Sequence, residues 1–295
     1  LNEEFYHEPV LVKETLEYLL QNKDTTASGV YVDCTLGGGG YTKKILETTP
    51  ESFKVIAIDR DSYAIGHSKN VLSGFGSRVI FVQDNFGNIK EILKNEQVTC
   101  ISGIVMDLGL SSYQLSHEDG FSYQKDTPLD MRADKSQKLT AADVLNRYSE
   151  RDIAEIFYRY GELRYSRQLA KEIAMARKNK KLVTTFDLVE AVKEKIPPRY
   201  LNSDLSKMFQ AVRIEVNNEL KNLERVLADS PEYMESGARI VAVSYHSLED
   251  RIVKNAFRAD ENLKVLTKKP VEAGENEIGL NVRARSAKLR TAEKI

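Results

Sequence analysis

Short β-branched runs recur through the first third of the chain, at Val30 to Cys34, Val55 to Asp59, Val79 to Gln83 and Gly103 to Asp107, with helix-compatible segments between them. This alternation predicts a parallel sheet with crossover helices. From about Ser116 the rhythm changes. Thr140-x-x-Asp143 and Ser149-x-x-Asp152 are capping-box-like helix starts with Asp in place of Glu. Thr185 precedes Phe186-Asp187-Leu188-Val189, a helix expected to stop before Pro197-Pro198. A mostly helical insertion over 116–206 follows from this reading. A long helix is then expected from Lys207 to Leu227, with Phe209, Val212, Val216, Leu220, Leu223 and Leu227 on one stripe. Gly237 to Tyr245 reads as another central strand, so the sheet domain is expected to be discontinuous, over 1–115 and 207–295. The insert would hang over the carboxyl edge of the sheet, where ligands bind in open α/β folds.

The densest chemical signal lies between the first two runs. Asp33-Cys34-Thr35-Leu36 leads into Gly37-Gly38-Gly39-Gly40, the helix-compatible Tyr41 to Leu46 follows, and Asp59 ends the next run. Glycines let a backbone approach a ligand closely, and an acidic residue about 20 positions further on can take ribose hydroxyls. The dinucleotide fingerprint fails in both registers, because Thr42 and Lys43 stand where its third glycine belongs. An acidic residue at the strand end, three residues and then glycines suits S-adenosylmethionine instead, which has an ammonium to hold and no pyrophosphate. The other reading of these glycines is a flexible surface loop.

Composition narrows the class. The chain has 295 residues, with 43 Lys and Arg against 44 Asp and Glu, so any nucleic-acid surface must be local. Cys34 and Cys100 fall in apparent strands without metal-ligand spacing, which predicts buried thiols in a reducing compartment. No run has the length of a membrane span and the N-terminus has no signal-peptide pattern, so a cytoplasmic location is expected. His7, His67, His117 and His246 show no mutual ligand spacing, and no metal is expected.

Two further strand ends carry candidate chemistry. In Asp84-Asn85-Phe86 an amide or carboxylate can bond an adenine edge and a ring can cover its face; the alternative is a strand-ending turn. Asp107-Leu108-Gly109-Leu110-Ser111-Ser112 stands where amino-group methyltransferases address their acceptor, although Asp107 could instead cap a turn.

Taken together, these words resemble the bacterial 16S ribosomal RNA cytosine-N4 methyltransferase family. The resemblance rests on His7-Glu8-Pro9-Val10-Leu11, Asp33 through Gly40, Ala57-Ile58-Asp59-Arg60-Asp61, and Asp107-Leu108-Gly109 with Ser111-Ser112-x-Gln114. It continues through Gly120-Phe121-Ser122, Pro128-Leu129-Asp130-Met131-Arg132, Tyr160-Gly161-Glu162 and Phe209-Gln210-Ala211-Val212-Arg213-Ile214. His246-Ser247-Leu248-Glu249-Asp250-Arg251 and Arg283 through Arg290 complete it. The resemblance implies a class I, Rossmann-like S-adenosylmethionine-dependent methyltransferase sheet with a helical substrate-recognition insert. It implies cofactor contacts at Gly39, Gly40, Tyr41, Asp59, Phe86, Asp107 and Gln114, beside which Asp33, Gly37, Gly38 and Asn85 are candidates from the strand-end reading. Its expected partner is 16S ribosomal RNA, carried in the small ribosomal subunit, with no membrane; a homodimer is compatible with it. The chain departs from the family pattern at Tyr41, where His is usual, at Asp119 (Arg), at Ala133 (Met), at Leu163 (Glu) and over Asp204 to Met208.

Methyl transfer from a sulfonium is an in-line displacement, so alignment is the main thing a protein supplies. Cytosine N4 is a poor nucleophile, and an acceptor on its amino group helps localise the lone pair. Asp107 is the candidate acceptor, with Ser111 and Ser112 as lesser ones, and it needs no unusual pKa if water finally takes the proton. The base must also leave its stack. Phe121, Tyr123 and Tyr245 are available aromatic faces, of which Tyr245, with His246, stands at a strand end. Ser247 and Asp250 alternatively form a capping-box-like start for a helix from Arg251 to Arg258.

Phosphate contacts are expected from Arg177, Lys178, Lys180 and Lys181 in the insert and from Arg283, Arg285, Lys288 and Arg290 near the C-terminus. A charge run can equally be a solvated face. Two other functions compete: a methyltransferase for DNA or a small molecule, and a non-catalytic assembly factor of the small subunit.

Overall fold

The computed structural model describes residues 9–21, 28–109 and 118–295. The chain divides into two compact units, one of residues 1–109 and 220–295 and one of residues 110–219, a wider central segment than 116–206.

The first unit is built on β1 (Gly29–Asp33), β2 (Phe53–Asp59), β3 (Val79–Gln83), β4 (Ile101–Asp107), β5 (Met234–Ser244), β6 (Leu263–Val265) and β7 (Lys288–Lys294). They form one sheet in the order β3-β2-β1-β4-β5-β7-β6. The first five pair in parallel, and β7 runs antiparallel to both β5 and β6. Neither β6 nor β7 is foreshadowed by the apolar periodicity. Their residues alternate with Lys, Arg and Glu, and they lie at the end of the sheet farthest from β3. Cys100 precedes β4 and is exposed, unlike the buried Cys34, so only one of the two expected buried thiols is buried.

Successive strand residues enter opposite layers, as a period of two requires. Val32, Ile56, Ile58, Ile104 and Ile240 join one core; Tyr31, Val55, Ala57, Val105 and Val241 join the other. With both faces covered, the inner stretches of β1, β2, β4 and β5 are nearly continuous apolar runs. Strand order reverses between β1 and β4, so the switch point of the sheet lies beside the carboxyl ends of these two strands.

The second unit is helical: α5 (Ala141–Arg147), α6 (Glu150–Arg159), α7 (Ser166–Asn179), α8 (Thr185–Val192) and α9 (Leu201–Asn217) follow α1 to α4 of the sheet unit (Val12–Leu20, Gly40–Thr48, Ser62–Val71, Ile89–Asn95). Thr140 with Asp143 forms a full capping box, and the side chain of Ser149 accepts the amide of Asp152. The cap of α8 is Thr184, with Asp187 closing the box, one residue before the expected Thr185. Phe121 is buried, and Tyr123 packs edge-on against Phe209 at 5.7 Å, so both rings belong to the interior of this unit.

The single long helix expected from Lys207 to Leu227 is two helices. Asn218 adopts a left-handed conformation (φ 50°, ψ 36°) that ends α9, and α10 (Glu219–Asp229) starts afresh. The apolar stripe is accordingly divided: Phe209, Val212 and Val216 enter the core of the helical unit, Leu223 and Leu227 that of the sheet. Asn tolerates this conformation better than most non-glycine residues, which is why periodicity runs through it unbroken.

Candidate active site

Three carboxylates stand at neighbouring strand ends. Asp33 ends β1, Asp59 ends β2 and Asp107 ends β4, with Asp33 registered against Ala57 on one side and Val105 on the other. Each is pushed above the ordinary carboxylate range chiefly by burial, Asp33 to about 6 and Asp107 to about 7, and they repel one another.

Asp33 shapes the glycine turn. It is fully buried; Thr42 Oγ1 donates to it at 2.7 Å and the amide of Thr35 at 3.0 Å. Asp59 reaches across to the same turn, accepting the amides of Gly37 at 2.8 Å and Asp61 at 2.9 Å, one on each oxygen. Gly37 (φ +49°) and Gly39 (φ +83°) supply the positive dihedrals, and Gly40 opens α2 against the ring of Pro9, where a Cβ would lie 2.3 Å from the proline Cγ. The missing side chain of Gly40 is therefore filled by protein. The phenol of Tyr41 is taken up within the protein. Its ring is buried and its hydroxyl donates to the carbonyl of Val10, leaving only its backbone to face a ligand.

At the end of β3, Asn85 Oδ1 accepts the amide of Gly87, while Asp84 accepts from the amide of Asn85 and from Asn88 Nδ2. Both side chains thus tie the turn, and Phe86, half-buried, remains the apolar face beside Asp59 in the sheet order. Ser111, Ser112 and Gln114 lie outside the described residues, as do His7 and His117.

Asp107 is the centre of a tight group. Its amide donates to Thr35 Oγ1 at 2.7 Å, and its Oδ1 accepts the phenolic hydroxyl of Tyr245 at 2.7 Å. Tyr245, two residues past the register partner of Asp107 on β5, carries the guanidinium of Arg283 over its ring at 5.4 Å. At Gly109 (φ +108°) a Cβ would come within 3.2 Å of the same ring. The Asp107 pKa is raised although the acceptor role does not require it: burial outweighs the Tyr245 hydrogen bond and the charge of Arg283, both of which pull it down. The Tyr245 phenol is itself raised far above its usual value by burial and by Asp107, so it is a donor throughout the working range.

His246 caps a helix. It is the first residue before α11 (Ser247–Ala259), and its Nδ1 accepts the amide of Glu249 at 3.4 Å. The buried Glu249 carboxylate in turn accepts the amide of Tyr245 at 3.0 Å. The helix therefore starts four residues before Arg251, and Asp250 is not its cap. Asp250 instead receives Arg290, at 2.6 and 3.1 Å.

That pair corrects the basic cluster. Arg290 is 6% exposed and bound on two nitrogens, so it is a buried strut and not a phosphate ligand. Arg285 is exposed and Lys288 half-buried. In the helical unit Arg177 donates to the carbonyl of Leu145 and the exposed Lys180 pairs with Asp187; Lys178 and Lys181 are exposed as well. Leu163, where the family has Glu, lies in the core of this unit; Ala133 is buried with its amide on Asn217 Oδ1. Sequence reasoning missed the roles of Thr35, Thr42 and Glu249; Thr35 and Glu249 lie inside words of the family resemblance, whereas Thr42 carries no signal beyond following Tyr41.

Residues 4–295 match the model of the MraW methylase family. The chain is 44% identical to "Ribosomal RNA small subunit methyltransferase H" of Carboxydothermus hydrogenoformans, over 99% of each chain. It is 43% identical to proteins of the same name from Clostridioides difficile, over 99% of this chain and 100% of that one, and from Desulfotalea psychrophila, over 100% of both. The chain belongs to the MraW methylase family.

Proposed function

We propose that this member of the MraW methylase family transfers a methyl group from S-adenosylmethionine to the exocyclic N4 of a cytidine in 16S ribosomal RNA. The observation that carries the reading is the trio Asp33, Asp59 and Asp107 at adjacent strand ends around the switch point of the sheet, each carboxylate destabilised by burial, and Asp33 and Asp107 also by a neighbouring carboxylate. Such a site suits a ligand with positive charge, and it lies where open α/β sheets bind nucleosides. The residues present fit the cofactor: Asp59 retains acceptor capacity on both oxygens for ribose hydroxyls, and the Gly37–Gly40 backbone and the Phe86 ring border it.

When bound, S-adenosylmethionine supplies an electrophilic methyl group on sulfur. The protein does the rest by position and charge. Asp107 accepts a hydrogen bond from the cytosine amino group, which localises the nitrogen lone pair, and it stabilises the cationic nitrogen as that forms. The excess N4 proton then leaves to Asp107 or to water. Tyr245 holds one Asp107 oxygen, so the carboxylate is oriented before the base arrives.

The helical unit, with Lys178 and Lys181, and the exposed Arg285 supply RNA contacts in this reading, and the acceptor is the RNA as carried in the small subunit. The test is transfer of radiolabelled methyl from S-adenosylmethionine to unmodified small subunits, naked 16S RNA and DNA, followed by nucleoside analysis. N4-methylcytidine from small subunits is the expected result. Label on DNA or on no polymer would overturn the reading.

A further inference from the structure

We propose that Arg283 is a positioning residue for methyl transfer, clamping the Tyr245 ring so that the phenol holds Asp107 Oδ1 and leaves Oδ2 for the cytosine amino group. The inference rests on the proposed role of Asp107. It gives a site duty to an arginine whose sequence context suggests a phosphate ligand.

The geometry is that of a built relay. Arg283 belongs to a short 3-10 turn, Val282–Ser286, whose backbone is pinned from both sides. Asn281 Oδ1 accepts the Arg283 amide at 3.1 Å, and Ser286 Oγ donates to the Arg283 carbonyl at 3.4 Å. The guanidinium then lies 5.4 Å from the centroid of Tyr245, within the range of a cation–π contact. The ring also meets Gly109, and the Tyr245 amide is held by Glu249, so the side chain that reaches Asp107 is constrained at backbone, ring and hydroxyl.

The electrostatics run the same way. The groups acting on Asp107 are Asp33 from β1, Tyr245 from the end of β5, Glu249 from α11, Arg283 from the 3-10 turn and the buried phenol of Tyr41 from α2. Asp33 and Glu249 raise its pKa, while Tyr245 donates a hydrogen bond and lowers it. Arg283 is the cationic member of this group, and it opposes the burial that drives the carboxyl toward its neutral form. A protonated Asp107 cannot accept the N4 proton, so loss of Arg283 converts directly into loss of the reactive state at lower pH.

The experiment compares Arg283→Met and Arg283→Lys with the unaltered protein, using single-turnover methylation of small subunits across pH at saturating S-adenosylmethionine. In the cofactor-free proteins, the Asp107 carboxyl is followed by NMR with labelled aspartate. Removing the cation is expected to move the carboxyl titration and the acid limb of the rate upward together by about one unit. The rate then falls about tenfold below the limb, and the plateau above it stays several-fold under the unaltered value because the ring is no longer clamped. Arg283→Lys, which keeps the charge and loses the planar stack, holds the limb in place but shares the lowered plateau. An unmoved limb and titration, with a higher KM for RNA and a salt slope reduced by about one, would identify a phosphate contact and overturn the proposal. If Arg283→Met does not fold, Arg283→Gln carries the same comparison. Asp107→Asn is run in parallel: full turnover there removes the underlying reading, whereas an inactive Asp107→Asn with an unmoved Arg283 limb removes only this inference.

Discussion

The phenolic hydroxyl of Tyr245 donates to the carboxylate of Asp107 at 2.7 Å across a sequence separation of 138 residues. The contact joins the end of β4 to the first residue beyond β5, and it stands at a strand-end carboxylate whose pKa is pushed up to about 7.

Asp107→Asn is expected to lower turnover by at least about a hundredfold while leaving the Tyr245 hydrogen bond in place. The same change should stabilise the fold at neutral pH. A folded-state pKa of about 7 against 3.8 means that Asp107 favours folding less and less as pH rises between those values, because ionising it in the interior is costly. Removing the charge should therefore raise the unfolding free energy above pH 7, by up to about 4 kcal/mol if the whole shift is realised, and make no difference below pH 4. Denaturant melts at both pH values check this, and equal stability at pH 8 would contradict it.

The rate of the unaltered enzyme should fall on acidification through about pH 7, where burial places the Asp107 titration, since the ionised carboxylate is the form that polarises the amino group and stabilises the cationic nitrogen. A profile of kcat/KM for RNA reads this limb. A limb near pH 4, where an unperturbed Asp titrates, would show that another group governs the rate.

Asp59→Ala is expected to do two things at once. Loss of the ribose acceptor should weaken S-adenosylmethionine binding by about tenfold or more, at roughly 1.5–3 kcal/mol per charge-assisted bond. Because the same carboxylate accepts the amides of Gly37 and Asp61, the glycine turn should also lose stability by about 1–3 kcal/mol. Calorimetry and thermal melts separate the two effects, and unchanged affinity in a folded variant would remove Asp59 from the pocket.

Arg290 and Arg285 should behave oppositely although they sit five residues apart. Arg290→Ala strands Asp250 and should destabilise the protein by about 3–5 kcal/mol, with the salt dependence of RNA binding unaltered in whatever folds. Arg285→Ala should leave the melting temperature alone and reduce the salt slope by about one. The two titrations against RNA at several salt concentrations, with a melt of each variant, decide the matter.

Gly40→Ala tests the turn from its other side. A Cβ there would overlap the Pro9 ring, so either the proline segment moves or α2 shifts, at a cost of about 1–3 kcal/mol. A variant that melts with the parent would show that the Pro9 segment yields freely.

The sequence by itself determined what local patterns can encode. The five parallel strands, the caps at Thr140 and Ser149, and the Asp33-to-Asp59 glycine turn are read from residues close together in the chain, because strand alternation, helix capping and positive φ are local demands. Tertiary structure decided the rest. Whether the stripe from Phe209 to Leu227 served one core or two depended on Asn218 turning left-handed, which periodicity does not register. The family word Arg283 to Arg290 looked uniformly basic, yet its members divide among a ring face, solvent and a buried ion pair according to which elements pack against β7. The neutral pKa of Asp107 belongs to no residue type and to no motif. It arises from burial, Asp33 and Glu249 against Tyr245 and Arg283, four residues drawn from β1 to the last turn before β7, and only folding brings them within reach of Asp107.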